Sequence, residues 1–192
     1  MLTEIIFLLD RSGSMAGLEN ETISGFNALI EKQSKLEGET KVTAVLFDDR
    51  YEVLWNGIDA RIVKLTEREY FVRGYTALLD AVGKTILKVE NRFTNGIKPV
   101  KVIFVITTDG MENSSQEFTY QKIKEMIKHQ EENHHWEFLF IGANIDVAKE
   151  ADHIGVNIDN AITFEASTAG VENMYQMVNE EITNKRQYGK EY

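Results

Sequence analysis

Asp10, Ser12 and Ser14 place three oxygen donors at alternate positions of one short segment, Asp10-Arg11-Ser12-Gly13-Ser14, directly after the apolar run Ile5-Ile6-Phe7-Leu8-Leu9. Hard divalent cations such as Mg²⁺ take oxygen ligands, few of them charged, with water completing an octahedron. A carboxylate and two hydroxyls offered by one strand-end loop therefore suit a cation site. Two more oxygen donors stand at the borders of apolar elements. Thr76 precedes a helical pattern opening at Ala77, and Asp109 ends the run Ile106-Thr107-Thr108-Asp109-Gly110. Taken singly, each has a plainer use: Ser12-Gly13-Ser14 or Asp109-Gly110 as a turn, Thr76 as a helix N-cap. No Lys or His near these motifs offers a general base, and the chain has no Cys to act as a nucleophile.

The elements that must position these donors alternate along the chain. Residues 5–10 read as a strand buried on both faces. Residues 18–36 carry Ile23, Phe26, Leu29 and Ile30 at helical spacing. Residues 41–47 and 51–55 flank Asp48-Asp49-Arg50 as an antiparallel hairpin. A helix is expected over 77–92 and a central strand over 100–107, with Pro99 just before it, where a missing N–H costs least. Helix 119–132, strand 136–141, helix 146–153, strand 161–164 and helix 171–185 complete the series. The pattern predicts an α/β fold: a doubly wound, mostly parallel, Rossmann-like sheet with one antiparallel edge strand and helices on both faces. In such a sheet the carboxyl ends of neighbouring parallel strands share one edge, where ligands bind. Two Asp and three hydroxyl residues would meet there.

The 192 residues, 43% hydrophobic and 27% charged, fit a single domain over 1–192. Lys and Arg total 21 against 31 Asp and Glu, a net charge of -10 that repels phosphate backbones and argues against nucleic acid as a partner. Without cysteine there is neither a disulfide nor a thiolate metal site. No apolar run approaches the roughly 18 residues of a membrane span. Met1-Leu2-Thr3-Glu4 lacks the basic segment of a secretion signal, so the expected location is cytoplasmic.

Three segments resemble the motifs of von Willebrand factor A (VWA, integrin I-like) domains: Asp10-Arg11-Ser12-Gly13-Ser14, Thr76-Ala77-Leu78-Leu79-Asp80-Ala81 and Thr107-Thr108-Asp109-Gly110. They occur in family order, and the strand–helix pattern between them fits throughout, as in a small stand-alone protein of bacterial type. The resemblance implies a metal ion-dependent adhesion site (MIDAS) holding Mg²⁺, with Mn²⁺ or Ca²⁺ as alternatives. Ser12, Ser14 and Thr76 would supply hydroxyl oxygens, and Asp10 and Asp109 would act through waters or directly as the site changes state. It further implies a non-enzymatic module that binds a partner protein's Asp or Glu carboxylate, the partner being an AAA+ ATPase or a larger complex. In some members the last helix shifts when that carboxylate arrives. One departure is Tyr75, where the family often has a second glycine. Arg11, Met15 and Arg73 are candidates for the rim.

The alternative is a Mg²⁺-dependent phosphatase-like hydrolase with Asp10 as nucleophile. That chemistry needs a second Asp two residues on, where Ser12 stands. Asp80 reads as a structural contact near the site, and Glu112 and Asn113 as neighbours of it. The histidines are not expected to form a ligand set: His129 and His153 lie in helices, and His134-His135 at a helix–strand junction. Favourable charge near a helix C-terminus is the expected role of His129.

Overall fold

The apolar run before Asp10 becomes a central strand because helices cover both of its faces. A computed structural model of the chain describes residues 1–99 and 101–188. In chain order these form β1 (Leu2–Asp10), α1 (Glu19–Ser34), β2 (Glu39–Phe47), β3 (Tyr51–Asp59), α2 (Leu78–Thr94), β4 (Lys101–Thr108), α3 (Tyr120–His134), β5 (Glu137–Gly142), α4 (Val147–Ile154), β6 (Ala161–Thr163) and α5 (Thr168–Tyr188). Val100, with which the expected central strand begins, lies outside the described residues.

The strands form one sheet in the order β3-β2-β1-β4-β5-β6. All neighbours are parallel except β2 and β3, so the antiparallel edge strand of the hairpin stands as expected. β1 shows why: Ile5, Phe7 and Leu9 enter one core, with Phe26, Leu29 and Ile30 of α1 and Val171, Met174 and Val178 of α5. Ile6 and Leu8 enter the other, with Leu78, Val82 and Ile86 of α2 and Ile123 and Ile127 of α3. Alternate side chains thus bury apolar surface on opposite faces, which is the arrangement that stabilises a two-sided sheet. Among the described residues no helix is long and apolar enough to cross a membrane.

Helix α5 is latched to α1 by polar contacts as well as apolar ones. The Gln33 side-chain amide donates to Asn179 and to the Thr183 hydroxyl, and Arg186 Nη1 donates to the Gln33 backbone and side-chain oxygens at 3.0 Å each.

Candidate metal centre

β1 and β4 are adjacent and parallel, so Asp10 and Asp109 emerge together at the carboxyl edge of the sheet. The Asp10 carboxylate is held in place from both sides. Its Oδ1 accepts the Ser12 N–H at 2.7 Å and its Oδ2 accepts the Thr108 hydroxyl at 2.8 Å, while the Tyr70 hydroxyl donates to its backbone carbonyl at 2.7 Å. A short 3₁₀ turn, Gly13–Met15, then brings Ser14 back over the edge. Ser14 donates its hydroxyl to Asp109 Oδ1 at 2.5 Å and lies 3.1 Å from the Ser12 hydroxyl.

Thr76 arrives from the loop before α2. Its N–H donates to Asn113 Oδ1 at 2.9 Å and its carbonyl accepts the Asn113 N–H, which binds the second motif to the segment after the third. A Cβ on Gly110 would lie 3.4 Å from the Thr76 hydroxyl and 3.6 Å from that of Ser14, so both hydroxyls approach one point of the Asp109-Gly110 turn. The first and second loops are tied by Gly13 N–H donating to the Gly74 carbonyl. Gly74 has φ +67 and would drive a Cβ to 1.9 Å from Asp49 Oδ1, so this close approach requires glycine. All five expected donors are therefore gathered at one edge.

Burial shapes their charge. Asp109 is pushed up to about 6, first by removal from water and further by the charge on Asp10, against the opposing hydrogen bond from Ser14. Burial likewise raises Asp10, while the bonds from Ser12 and Thr108 pull the other way. Asp109 Oδ2 is buried and has no hydrogen-bond partner among the described residues. An ionised oxygen left in that state carries a desolvation cost that a cation would remove.

Several neighbouring roles differ from the sequence expectation. Thr76 does not cap α2: the N-cap residue is Ala77, without a side-chain cap bond, and Glu112 Oε2 and the Ser115 hydroxyl accept the Leu79 and Asp80 N–H groups instead. The Thr76 hydroxyl is thereby left free of capping. Arg11 and Met15 are not on the rim. Met15 is buried, and Arg11 is fully buried between Asp48, at 3.2 Å, and Glu52, at 2.7 Å. Nothing local in the sequence announces this, because Asp48 and Glu52 come from the far end of the hairpin. Arg73, half-buried, joins the same cluster at 2.8 Å from Asp48, and the Phe71 ring sits against both guanidinium groups. Tyr75 is exposed. Asp80 makes the structural contact expected of it, accepting the N–H groups of Gln116, Glu117 and Phe118.

No family model and no curated protein matches the chain at the level of sequence. Solved structures do. The vWF domain of the type V pili tip protein Mfa5 from Porphyromonas gingivalis aligns with a TM-score of 0.68 at 11% identity, covering 94% of this chain and 96% of that one. Proximal thread matrix protein 1 of the mussel byssus, in a form with a zinc-occupied MIDAS motif, aligns at 0.67 and 16%, over 94% of this chain and 45% of its own. The manganese-loaded TRAP protein of Plasmodium vivax aligns at 0.57 and 22%, over 73% and 57%. The chain spans under half the length of the mussel protein chains it matches. These likenesses define the class: the fold is that of a von Willebrand factor A domain.

Proposed function

We propose that this chain is a non-enzymatic protein-recognition module that binds an acidic side chain of a partner through a Mg²⁺-type cation held by Asp10, Ser12, Ser14, Thr76 and Asp109. The observation that carries this reading is Asp109 Oδ2, buried and without a hydrogen-bond partner among the described residues, on a carboxylate whose Oδ1 is bonded to Ser14 within a cluster of oxygen donors. Such a donor set fits a hard cation. Ser12, Ser14 and Thr76 would hold it by their hydroxyls, and Asp10 and Asp109 through water or directly. With little charge donated directly, a bound cation supplies Lewis acidity toward a carboxylate from outside. Neighbours of the same fold carry divalent metals, zinc in the mussel protein and manganese in the Plasmodium vivax protein, which supports occupancy by a divalent ion. Mg²⁺, with Mn²⁺ or Ca²⁺ as substitutes, is our choice for the resident ion. An AAA+ ATPase or a larger assembly presenting an exposed Asp or Glu would satisfy the partner requirement.

A phosphatase reading loses support at two points. Both Asp10 carboxylate oxygens are engaged in hydrogen bonds, and the residue two positions on is Ser12, whose N–H donates to Asp10. The test is affinity capture with the full chain in Mg²⁺ and in EDTA, beside a Ser12→Ala, Ser14→Ala variant. Capture of a partner in Mg²⁺ that fails in EDTA, in the variant and when the partner's acidic residue is neutralised supports the module. Metal-independent capture, or turnover of a phosphate ester abolished by Asp10→Asn, overturns it.

A further inference from the structure

The structure corrects one sequence expectation outright: two histidines do converge. His129 and His134 stand on the last two turns of α3 with ring centroids 5.4 Å apart, and Glu90 of α2 faces them. One ligand atom from each of the three lies within 4.8 Å of the other two. Neither the i,i+3 nor the i,i+4 spacing pairs residues 129 and 134, and Glu90 is brought in only by the packing of α2 on α3.

We propose that Glu90, His129 and His134 form a second metal site, for Zn²⁺ or a similar borderline transition-metal cation, that clips α2 to α3 at the amino edge of the sheet. Two imidazoles and one carboxylate are a donor set such ions favour and Mg²⁺ does not. Tetrahedral ligation at about 2.0–2.1 Å needs donors about 3.3 Å apart. His129 and His134 are exposed and Glu90 is half-buried, so side-chain rotation can close the difference without moving the helices. Both helices end here, α2 at Thr94 and α3 at His134, and the negative ends of their dipoles favour a cation.

A second, independent observation points to a ligand at the same place. Gln130 is only 2% exposed and lines the clefts on either side of the cluster, one with Glu90 and His134, the other with Glu90 and His129. Its Oε1 is buried and has no hydrogen-bond partner among the described residues. A carbonyl oxygen left unmatched on a residue that lines both of these clefts suits a metal or its bound water. Asn133 Nδ2 lies 3.0 Å from His129 Nδ1; because an amide N–H only donates, ligation by either ring nitrogen of His129 exchanges this contact for the metal. Three protein ligands leave a fourth position for water or for Gln130.

The two edges differ in donor chemistry, so they can be loaded separately. Zn²⁺ is titrated into the full chain by calorimetry in saturating Mg²⁺, which occupies the oxygen site. Co²⁺ absorption then reports whether nitrogen-ligated, four-coordinate metal is present. We expect one equivalent of Zn²⁺, an intense visible Co²⁺ band, and at least about a tenfold loss of affinity in both Glu90→Gln and the His129→Ala, His134→Ala variant. The Ser12→Ala, Ser14→Ala variant still binds that equivalent. An unchanged melting temperature in EDTA shows that the histidine variants fold. Zn²⁺ binding of equal strength in the histidine variant, binding lost in the serine variant, or no binding in saturating Mg²⁺ overturns the proposal.

Discussion

At the carboxyl edge of the sheet the donors are tied by hydrogen bonds to one another and to the adjoining loops. Asp10 accepts from Ser12 and Thr108, Ser14 bonds Asp109, and Thr76 is held by Asn113. At the amino edge Glu90, His129 and His134 stand on helix ends, two of the three exposed, and only Gln130 behind them is buried. The first cluster is built before any ligand arrives and bears the cost of buried charge while it waits. The second costs little until it is loaded. Preorganisation of the first kind fixes ion choice by geometry, whereas the second selects by the softness of nitrogen donors.

The comparison can be broken by perturbing each edge in turn. The largest effect belongs to the scaffold of the carboxyl edge. Arg11→Met leaves fully buried Asp48 with the half-exposed Arg73 as its remaining charged partner beside the Arg50 N–H, and we expect a loss of about 3 kcal/mol in urea unfolding. A loss under about 1 kcal/mol would mean that this edge is not held as described. Slightly smaller is the gain from metal. Mg²⁺ at a hundredfold excess over its Kd should stabilise the fold by about 2.7 kcal/mol, a gain read in thermal melts that disappears in the Ser12→Ala, Ser14→Ala variant.

The pH response follows from Asp109, whose carboxyl is raised from 3.8 to about 6 in the fold. Because the folded state then holds the proton more tightly than the unfolded one, this residue's contribution makes the metal-free protein less stable as pH rises from about 4 to about 6. Below about 6 a proton competes with the metal, and Mg²⁺ affinity should drop by up to about tenfold per pH unit, or about 1.4 kcal/mol. Melts of wild type and Asp109→Asn across that window check both signs; parallel curves would remove Asp109 from the account. The smallest effect is expected at the amino edge. In EDTA, Glu90→Gln, His129→Ala and His134→Ala should each change stability by no more than about 0.5 kcal/mol. A larger loss at any of them would show that this edge, too, is built in advance.

Much of the scaffold was legible from residue spacing. The helix expected over 77–92 is found at Leu78–Thr94, and the strand expected over 136–141 at Glu137–Gly142. Where the reading fell short there is a physical reason. The second hairpin strand was expected to end at Trp55 but runs to Asp59, because the register shifts between Val42, Ala44 and Val45 and a strand half-exposed along its length shows no clean alternation. The five oxygen donors were legible because each sits next to an apolar run whose end must reach the same edge. Arg11 departs from expectation because a charged residue is normally read as exposed, and its partners, buried Asp48 and exposed Glu52, lie 37 and 41 residues away.

By itself the sequence determined the alternation of strands and helices, the parallel sheet that follows from it, and the delivery of Asp10, Ser12, Ser14, Thr76 and Asp109 to one edge. These depend on local periodicity and on chain direction, both of which are written residue by residue. Only the tertiary structure decided which donors bond to one another, which oxygen has no hydrogen-bond partner among the described residues, and that Glu90 meets His129 and His134. Such pairings join side chains far apart in the chain, 98 residues in the bond from Thr108 to Asp10. They are set by how helices and strands pack, and the packing distances are not encoded in any one segment.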